Sequence, residues 1–134
     1  MIAVPMMSSA GSMQIRSAAN MIAADLEYAK SMAISRQKTY DVVFDQAAES
    51  YQIEDTNEII DHPVRKGFKY VVNFSTDQRL DKVDIIDVNF GSDSWVEFDY
   101  LGSPNNGGEV KLQAGGTTAT ITVESVTGFI MITD

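Results

Sequence analysis

Apolar side chains recur every three or four residues between Met13 and Gln37. They fall on one stripe of a helix, formed by Ile15, Ala18, Ala19, Ile22, Leu26, Ala29 and Ala33. Because an α-helix turns once in about 3.6 residues, this spacing predicts a helix from about Ser12 to Arg36 with the stripe against a core. Ser12 is the predicted N-cap, and the interior of the segment contains neither Pro nor Gly.

A second apolar line runs beside the first on the same predicted helix. It is formed by Met13, Met21, Tyr28 and Met32. Two interpretations stay open for this line: ordinary core packing, and a face that packs against another subunit. Methionine suits either one, since its flexible side chain adapts to irregular neighbours. With one upstream methionine and the single tryptophan added, the candidate subunit contacts are Met6, Met13, Met21, Tyr28, Met32 and Trp95.

After Gln37 the alternation of apolar and polar residues changes to a period of two, which is typical of strands with one buried face. Segments 40–44 and 51–53, joined by a polar turn, form a predicted hairpin. Further strands are predicted around 68–74, 83–90, 95–100, 110–112, 119–123 and 129–133. Phe68 and Tyr100 share the apolar phase of their strands. The phase reverses after Ile85, which predicts a β-bulge or break at that point.

Seven or eight short antiparallel strands are too many for one small flat sheet, so two packed sheets are expected. The predicted fold class is α+β, with an N-terminal helix packed on an antiparallel β-sandwich of two small sheets. Residues 1–37 form the helical part and residues 38–134 a β-rich head, together one structural domain. The residues expected to pack the helix on the head are Ile15, Ile22, Leu26, Ala29 and Ala33.

Charge narrows the range of partners. The 134-residue chain has a formal net charge of −9, and its estimated isoelectric point is about 4.4. Residues 83–134 carry eight acids against one base, Lys111. Since affinity for nucleic acid comes mainly from Lys and Arg on phosphates, this half is a poor surface for a polyanion. The absence of Cys excludes a disulfide framework and a zinc–thiolate site.

The sequence offers little catalytic chemistry. His62 lies in a turn beside Pro63, and no Gly-x-Ser-x-Gly elbow accompanies it, so a solvent-exposed loop histidine is expected. Acids gather between Asp77 and Asp99, which favours a solvated acidic surface and leaves a calcium site or a catalytic pair open. Trp95 either caps a core edge or marks a binding patch. No catalytic residue, metal ligand or cofactor-binding residue is predicted.

Four segments resemble, in order, the GspH/FimT-type pseudopilins. They are the helix end Ala23 to Arg36 with its Asp25-Leu26 pair, the strands Tyr40 to Asp45 and Tyr51 to Ile53, the turn Phe98-Asp99-Tyr100-Leu101-Gly102-Ser103-Pro104, and the terminal Thr127-Gly128 strand running on to Ile132. The resemblance extends from about residue 2 to the end of the sequence, and the middle, roughly 55–93, contributes little.

The resemblance implies a minor pseudopilin or minor pilin-like subunit of a type II secretion pseudopilus or a type IV pilus. Such a subunit acts by filament assembly near the tip and not by catalysis. It implies an inner-membrane, single-pass protein with a periplasmic head, whose partners are other pilin or pseudopilin subunits. About 20 apolar residues are then expected directly before Ile2, because a membrane-spanning helix needs that length.

Two further expectations accompany this interpretation. Phe129 and Met131 stand in a terminal strand that is basic in some DNA-handling FimT-type members, so no nucleic-acid partner is expected. The alternative function from another class is a stand-alone β-sandwich binding module for carbohydrate or calcium.

Overall fold

A computed structural model describes residues 10–134, so the predicted contact at Met6 lies outside the described residues. The first element is helix α1, Ala10–Arg36, as the three- and four-residue spacing predicts. The predicted N-cap at Ser12 is wrong, because Ala10 and Gly11 are already helical and place Ser12 inside the first turn. No helix among residues 10–134 combines the length and apolarity that crossing a bilayer requires.

The C-terminal end of α1 closes with a left-handed residue. Gln37 has φ of 57°, and the N–H of Lys38 donates to the carbonyl of Ala33 at 3.1 Å. The Gln37 side chain also donates to the carbonyl of Ile34 at 2.7 Å. These bonds satisfy carbonyl groups that a helix end leaves without intrahelical partners, so the chain turns sharply into the first strand.

The first sheet contains five strands. They are β1 Tyr40–Asp45, β2 Ser50–Asp55, β3 Glu58–Ile59, β4 Val71–Asn73 and β6 Trp95–Phe98. Their order is β3-β2-β1-β6, and β4 also pairs with β2. The β1–β2 hairpin predicted from the alternation is confirmed, with Val42 opposite Ile53 and Phe44 opposite Tyr51.

The second sheet contains four strands, β5 Asp84–Asn89, β7 Gly108–Ala114, β8 Thr117–Val123 and β9 Ile130–Thr133. They are antiparallel in the order β5-β7-β8-β9. The register between β5 and β7 shifts between Ile85 and Asp87, so the predicted bulge is confirmed. Residues 10–134 therefore form nine strands in two sheets, and the two-residue β3 is the one that the sequence pattern does not show.

Helix α1 packs across both sheets, against β7, β8 and β9 of one and β1 and β6 of the other. All seven residues of the predicted stripe are buried, from Ile15 to Ala33. Aromatic rings complete the core on the strand side, where Phe44 lies 5.3 Å from the Tyr51 ring and 6.2 Å from the Phe90 ring between centroids. The fold is thus one helix packed on two antiparallel sheets, as the sequence predicts.

Two apolar residues predicted to share a buried phase are exposed. Phe68 lies outside β4, because the Phe68 carbonyl accepts from the N–H of His62 at 2.8 Å in a loop that folds back on itself. Its ring packs under the Arg65 guanidinium instead. Tyr100 lies beyond the end of β6, in the turn that begins at Asp99. In both cases the apolar alternation extends outside the strand, ahead of the start of β4 and past the end of β6.

Candidate functional site

A buried carboxylate links the helix to the first sheet. The hydroxyl of Tyr51 donates to Asp25 Oδ2 at 2.5 Å, and the hydroxyl of Tyr70 donates to Asp25 Oδ1. Burial raises the pKa of Asp25, while the two tyrosine hydrogen bonds act in the opposite direction. Burial and the nearby carboxylate raise the pKa of both tyrosines, so both stay protonated donors. The cluster is a fully partnered polar connection inside the core.

An aromatic stack extends this cluster to the surface. Tyr28 stacks on one side of Tyr70, with 5.4 Å between ring centroids. His62 also stacks on Tyr70, at 4.5 Å. His62 Nδ1 accepts hydrogen bonds from the N–H groups of Val64 and Arg65, at 3.1 and 3.0 Å. The prediction of a solvent-exposed His62 is therefore wrong, because its loop folds it onto Tyr70, where it is half-buried.

Two surface grooves flank this stack. The larger, about 780 Å³, lies beside Met21, Asp25 and Arg79. The smaller, about 450 Å³, lies beside Tyr28 and Met32. Both are open and contain acidic and basic side chains as well as apolar ones, and His62 lines each of them. Neither resembles an enclosed apolar site for a small molecule.

The methionine line of the helix divides into two parts. Met21, Tyr28 and Met32 are half-buried and pack against the core, which fits the core-packing interpretation. Met13 is 65% exposed, near the start of the described helix. Of the candidate contact residues on the described helix, Met13 alone presents most of its side chain to solvent.

Trp95 lies on the outer face of the first sheet. It is half-buried and sits directly across from Val43, next to the pair formed by Asp41 and Glu97. Asp41 also faces Glu54 on the other neighbouring strand. The pKa of Asp41 is raised to about 7. Partial burial is the largest cause, and the neighbouring carboxylates of Glu97, Glu54 and Asp55 add to it in that order. Like charges directly opposite each other destabilise a sheet, so this acidic row weakens it when fully ionised.

The described residues do not assemble a metal site. Among residues 10–134, no three His, Cys, Asp or Glu side chains are placed to hold a metal ion. The acids between Asp77 and Asp99 are dispersed instead. Asp77, for example, is held by the Arg79 guanidinium at 2.8 Å, and Asp99 accepts from the backbone N–H groups of Leu101 and Ser103.

Three of the four segments that resemble GspH/FimT-type pseudopilins contact one another beneath the C-terminal half of α1. Lys30 donates to the carbonyl of Gly128 at 3.0 Å. Gly128 has φ of 70°, and a Cβ there would lie 2.4 Å from the carbonyl oxygen of Gly102. The Ser103 hydroxyl donates to the carbonyl of Val126 at 2.6 Å. These glycines permit two turns and the helix to approach closely, which gives the sequence motifs a structural reason.

Sequence reasoning missed the Asp25 cluster. The sequence did contain one indication of it. Asp25 is an acid directly beside Leu26, on a helix stripe that is otherwise apolar. Its partners Tyr51 and Tyr70 lie 26 and 45 residues away along the chain. Because side-chain partners at that separation depend on the fold, the alternation of residues could not identify them.

A long N-terminal helix packed across two small antiparallel sheets defines a class, the pilin-like filament subunits. The sequence model of the family described as Type II transport protein GspH matches residues 18–127, and the chain belongs to that family. Among curated protein sequences no match is found.

Solved structures share the fold. The type IV minor pilin FimU of Pseudomonas aeruginosa strain PAO1 is similar with a TM-score of 0.65 and 15% identity, covering 90% of this chain and 89% of that chain. The minor pseudopilin EpsH of the Vibrio cholerae type 2 secretion system also has a TM-score of 0.65, with 8% identity, covering 90% of this chain and 96% of that chain. At these identities the likeness shows the fold.

Proposed function

We propose that the protein is a minor pseudopilin or minor pilin-like subunit, which acts by assembling into a filament near its tip and not by catalysis. Membership in the GspH family carries this proposal. The packing of α1 supports it, because its stripe from Ile15 to Ala33 is fully used inside the head. The head and the helix thus share one core.

In this proposal an apolar helical segment N-terminal to α1 anchors the protein in the inner membrane in a single pass, with the head in the periplasm. The helix later packs among the helices of other pilin or pseudopilin subunits. Met13 is the described residue best placed to meet such a helix, because its side chain is open. Met6 and Trp95 remain candidate contacts of the same kind.

We do not include nucleic acid among the partners. Several bases outside the acidic half are already paired: Lys69 Nζ lies 2.8 Å from Asp61 Oδ1, and Lys38 Nζ lies 2.7 Å from Asp55 Oδ2. These carboxylates offset the positive charge that a polyanion would meet at these lysines. The stand-alone binding module has no observation in its favour.

Deletion of the gene in the producing organism tests the proposal. We expect loss of surface pili or loss of secreted folded proteins, measured by the yield of sheared filaments and by the protein content of the medium. Restoration by the wild-type gene supplied in trans is the control. Loss of pili alone assigns the protein to a type IV pilus, and loss of secretion alone assigns it to a secretion pseudopilus. A deletion strain with both unchanged contradicts the proposal.

A further inference from the structure

The outer strands of the two sheets differ in how their edges are covered. At the edge of β6, the N–H of Asn105 donates to the carbonyl of Glu97 at 2.8 Å, and Asn105 Oδ1 accepts from the N–H of Glu97 at 2.9 Å. Strands β3 and β4 are only two and three residues long. Short strands and covering loops are ways in which natural sheets avoid pairing with other chains.

The edge of β5 is covered by side chains and interrupted. The side chain of Gln46 donates to the carbonyl of Ile86 at 2.9 Å, and the N–H of Ile85 donates to the Glu49 carboxylate at 2.6 Å. The bulge follows Ile85, and the charged Asp84 and Asp87 lie on either side of it. This edge is therefore unavailable to another strand.

Strand β9 has none of these features. It reads Ile130-Met131-Ile132-Thr133, without charge, proline or bulge. It pairs with β8 alone among the described strands. Met131 and Ile132 are 39% and 38% exposed, and the neighbouring Phe129 is exposed as well. An apolar edge of this kind is an open template for a further strand.

The register defines which backbone groups of β9 face outward. The N–H of Glu124 donates to the carbonyl of Phe129 at 2.8 Å, and Thr122 pairs with Met131. In an antiparallel ladder, hydrogen-bonded and non-hydrogen-bonded pairs alternate. The N–H and carbonyl groups of Ile130 and Ile132 therefore face away from β8, and no partner for them lies among residues 10–134.

We propose that the β9 edge binds an extended strand from another filament subunit by adding it to the second sheet. The partner strand is apolar at alternate positions, where it extends the face formed by Ile130 and Ile132. It carries Lys or Arg on the other face, beside Glu124 and the acidic second half of the head. The naming of a filament subunit as the partner rests on the proposed function.

Charge selects this partner over a second copy of the chain. Pairing β9 with β9 of a second copy would bring together two chains that each carry a net charge of −9. Glu124 and Asp134, which lie on either side of β9, would meet the same residues of the other copy. A strand with basic residues at its ends gains attraction where a second copy meets repulsion.

A synthetic peptide probes the edge without knowledge of the natural partner. The peptide is acetyl-Lys-Ile-Thr-Val-Thr-Ile-Lys-amide, and the control replaces its central Val by Pro. Amide hydrogen exchange measured by NMR is expected to slow at Ile130 and Ile132 when the peptide is added. Exchange at Met131 should not change, since its N–H already bonds to Thr122. The Pro-containing peptide should have no effect.

A backbone substitution tests the same contact from the protein side. Ile132→Pro removes an outward N–H and leaves the bonds to β8 in place, so the peptide Kd should rise at least about tenfold. Ile132→Ala keeps the N–H and should raise the Kd less. Thermal melting of each variant verifies its fold, and the exchange pattern of the wild-type protein decides the question if Ile132→Pro does not fold.

Three results would overturn the proposal. They are unchanged exchange at millimolar peptide, slowed exchange that does not alternate along β9, and alternating protection without peptide in a chain that sediments as a dimer. The last result would identify a second copy as the occupant. None of them depends on the deletion phenotype, so failure here is distinguishable from failure of the filament function.

Discussion

Replacing Leu26 by Asp should unfold the head or lower its free energy of unfolding by several kcal/mol. Leu26 is 0% exposed at the centre of the α1 stripe, and among residues 10–134 no basic side chain is buried. A carboxylate at this position has two options. It stays charged without an ion-pair partner, or it takes up a proton and becomes a buried acid that has lost its hydrogen bonds to water. Either outcome costs about 3 kcal/mol or more, in addition to the lost apolar packing.

Urea unfolding followed by circular dichroism measures this loss. Ala24→Asp is the matched control, because it adds the same charge to the same helix at an exposed position. The control should cost no more than about 1 kcal/mol, mainly through helix propensity. If Leu26→Asp and Ala24→Asp unfold at the same urea concentration, the helix does not pack as described.

Gly108→Ala should separate β5 from β7. A Cβ on Gly108 would lie 2.0 Å from the carbonyl oxygen of Asn89 and 2.7 Å from the Cα of Phe90. Both are backbone atoms, so no side chain can move aside and the strands themselves must shift. Overpacking of this kind costs about 1–3 kcal/mol, and backbone displacement adds to it. The same urea titration measures the effect.

Gly116→Ala provides the comparison. Nothing lies within 4 Å of a Cβ at that position. The substitution reduces the conformational freedom of the unfolded chain, so stability should stay constant or rise by up to about 1 kcal/mol. A Gly108→Ala protein as stable as Gly116→Ala would show that β5 and β7 are further apart than the structure places them.

The elements with one buried face could be predicted because burial repeats with the period of the element. The stripe from Ile15 to Ala33 follows the helical period, and each of its members is buried. The bulge after Ile85 could be predicted for a related reason, since an extra residue reverses the apolar phase of a strand. A helix or strand that packs on one face therefore shows its period in the sequence.

Features that depend on residues far apart could not be predicted. The Asp25 carboxylate finds its donors on β2 and beside β4, and His62 stacks on Tyr70 because its loop folds back on itself at Phe68. Phe68 begins an apolar alternation ahead of the start of β4, but lies outside the strand because its carbonyl accepts from the N–H of His62. The alternation indicates which residues can be buried, while the fold decides which of them are.

The covering of the sheet edges is likewise a property of the assembled fold. Gln46 and Glu49 lie in and beside a polar turn, and nothing in their sequence indicates that they cover β5. Strand β9, in contrast, was predicted as a strand, but its position at a sheet edge became evident only from the strand order. The difference between these two edges is what points to a docking surface.

Site-specific cross-linking in the producing cells tests the filament account most directly. The sequence contains no Cys, so Met13→Cys introduces a single thiol at an open position of the helix. A benzophenone maleimide attached to this thiol and then irradiated inserts into nearby C–H bonds, and should yield adducts that mass spectrometry identifies as this chain joined to another pilin-type subunit. Ala47→Cys, exposed in the β1–β2 turn, is the control and should give few such adducts. Adducts with no pilin-type protein, or equal yields from both positions, would contradict the account.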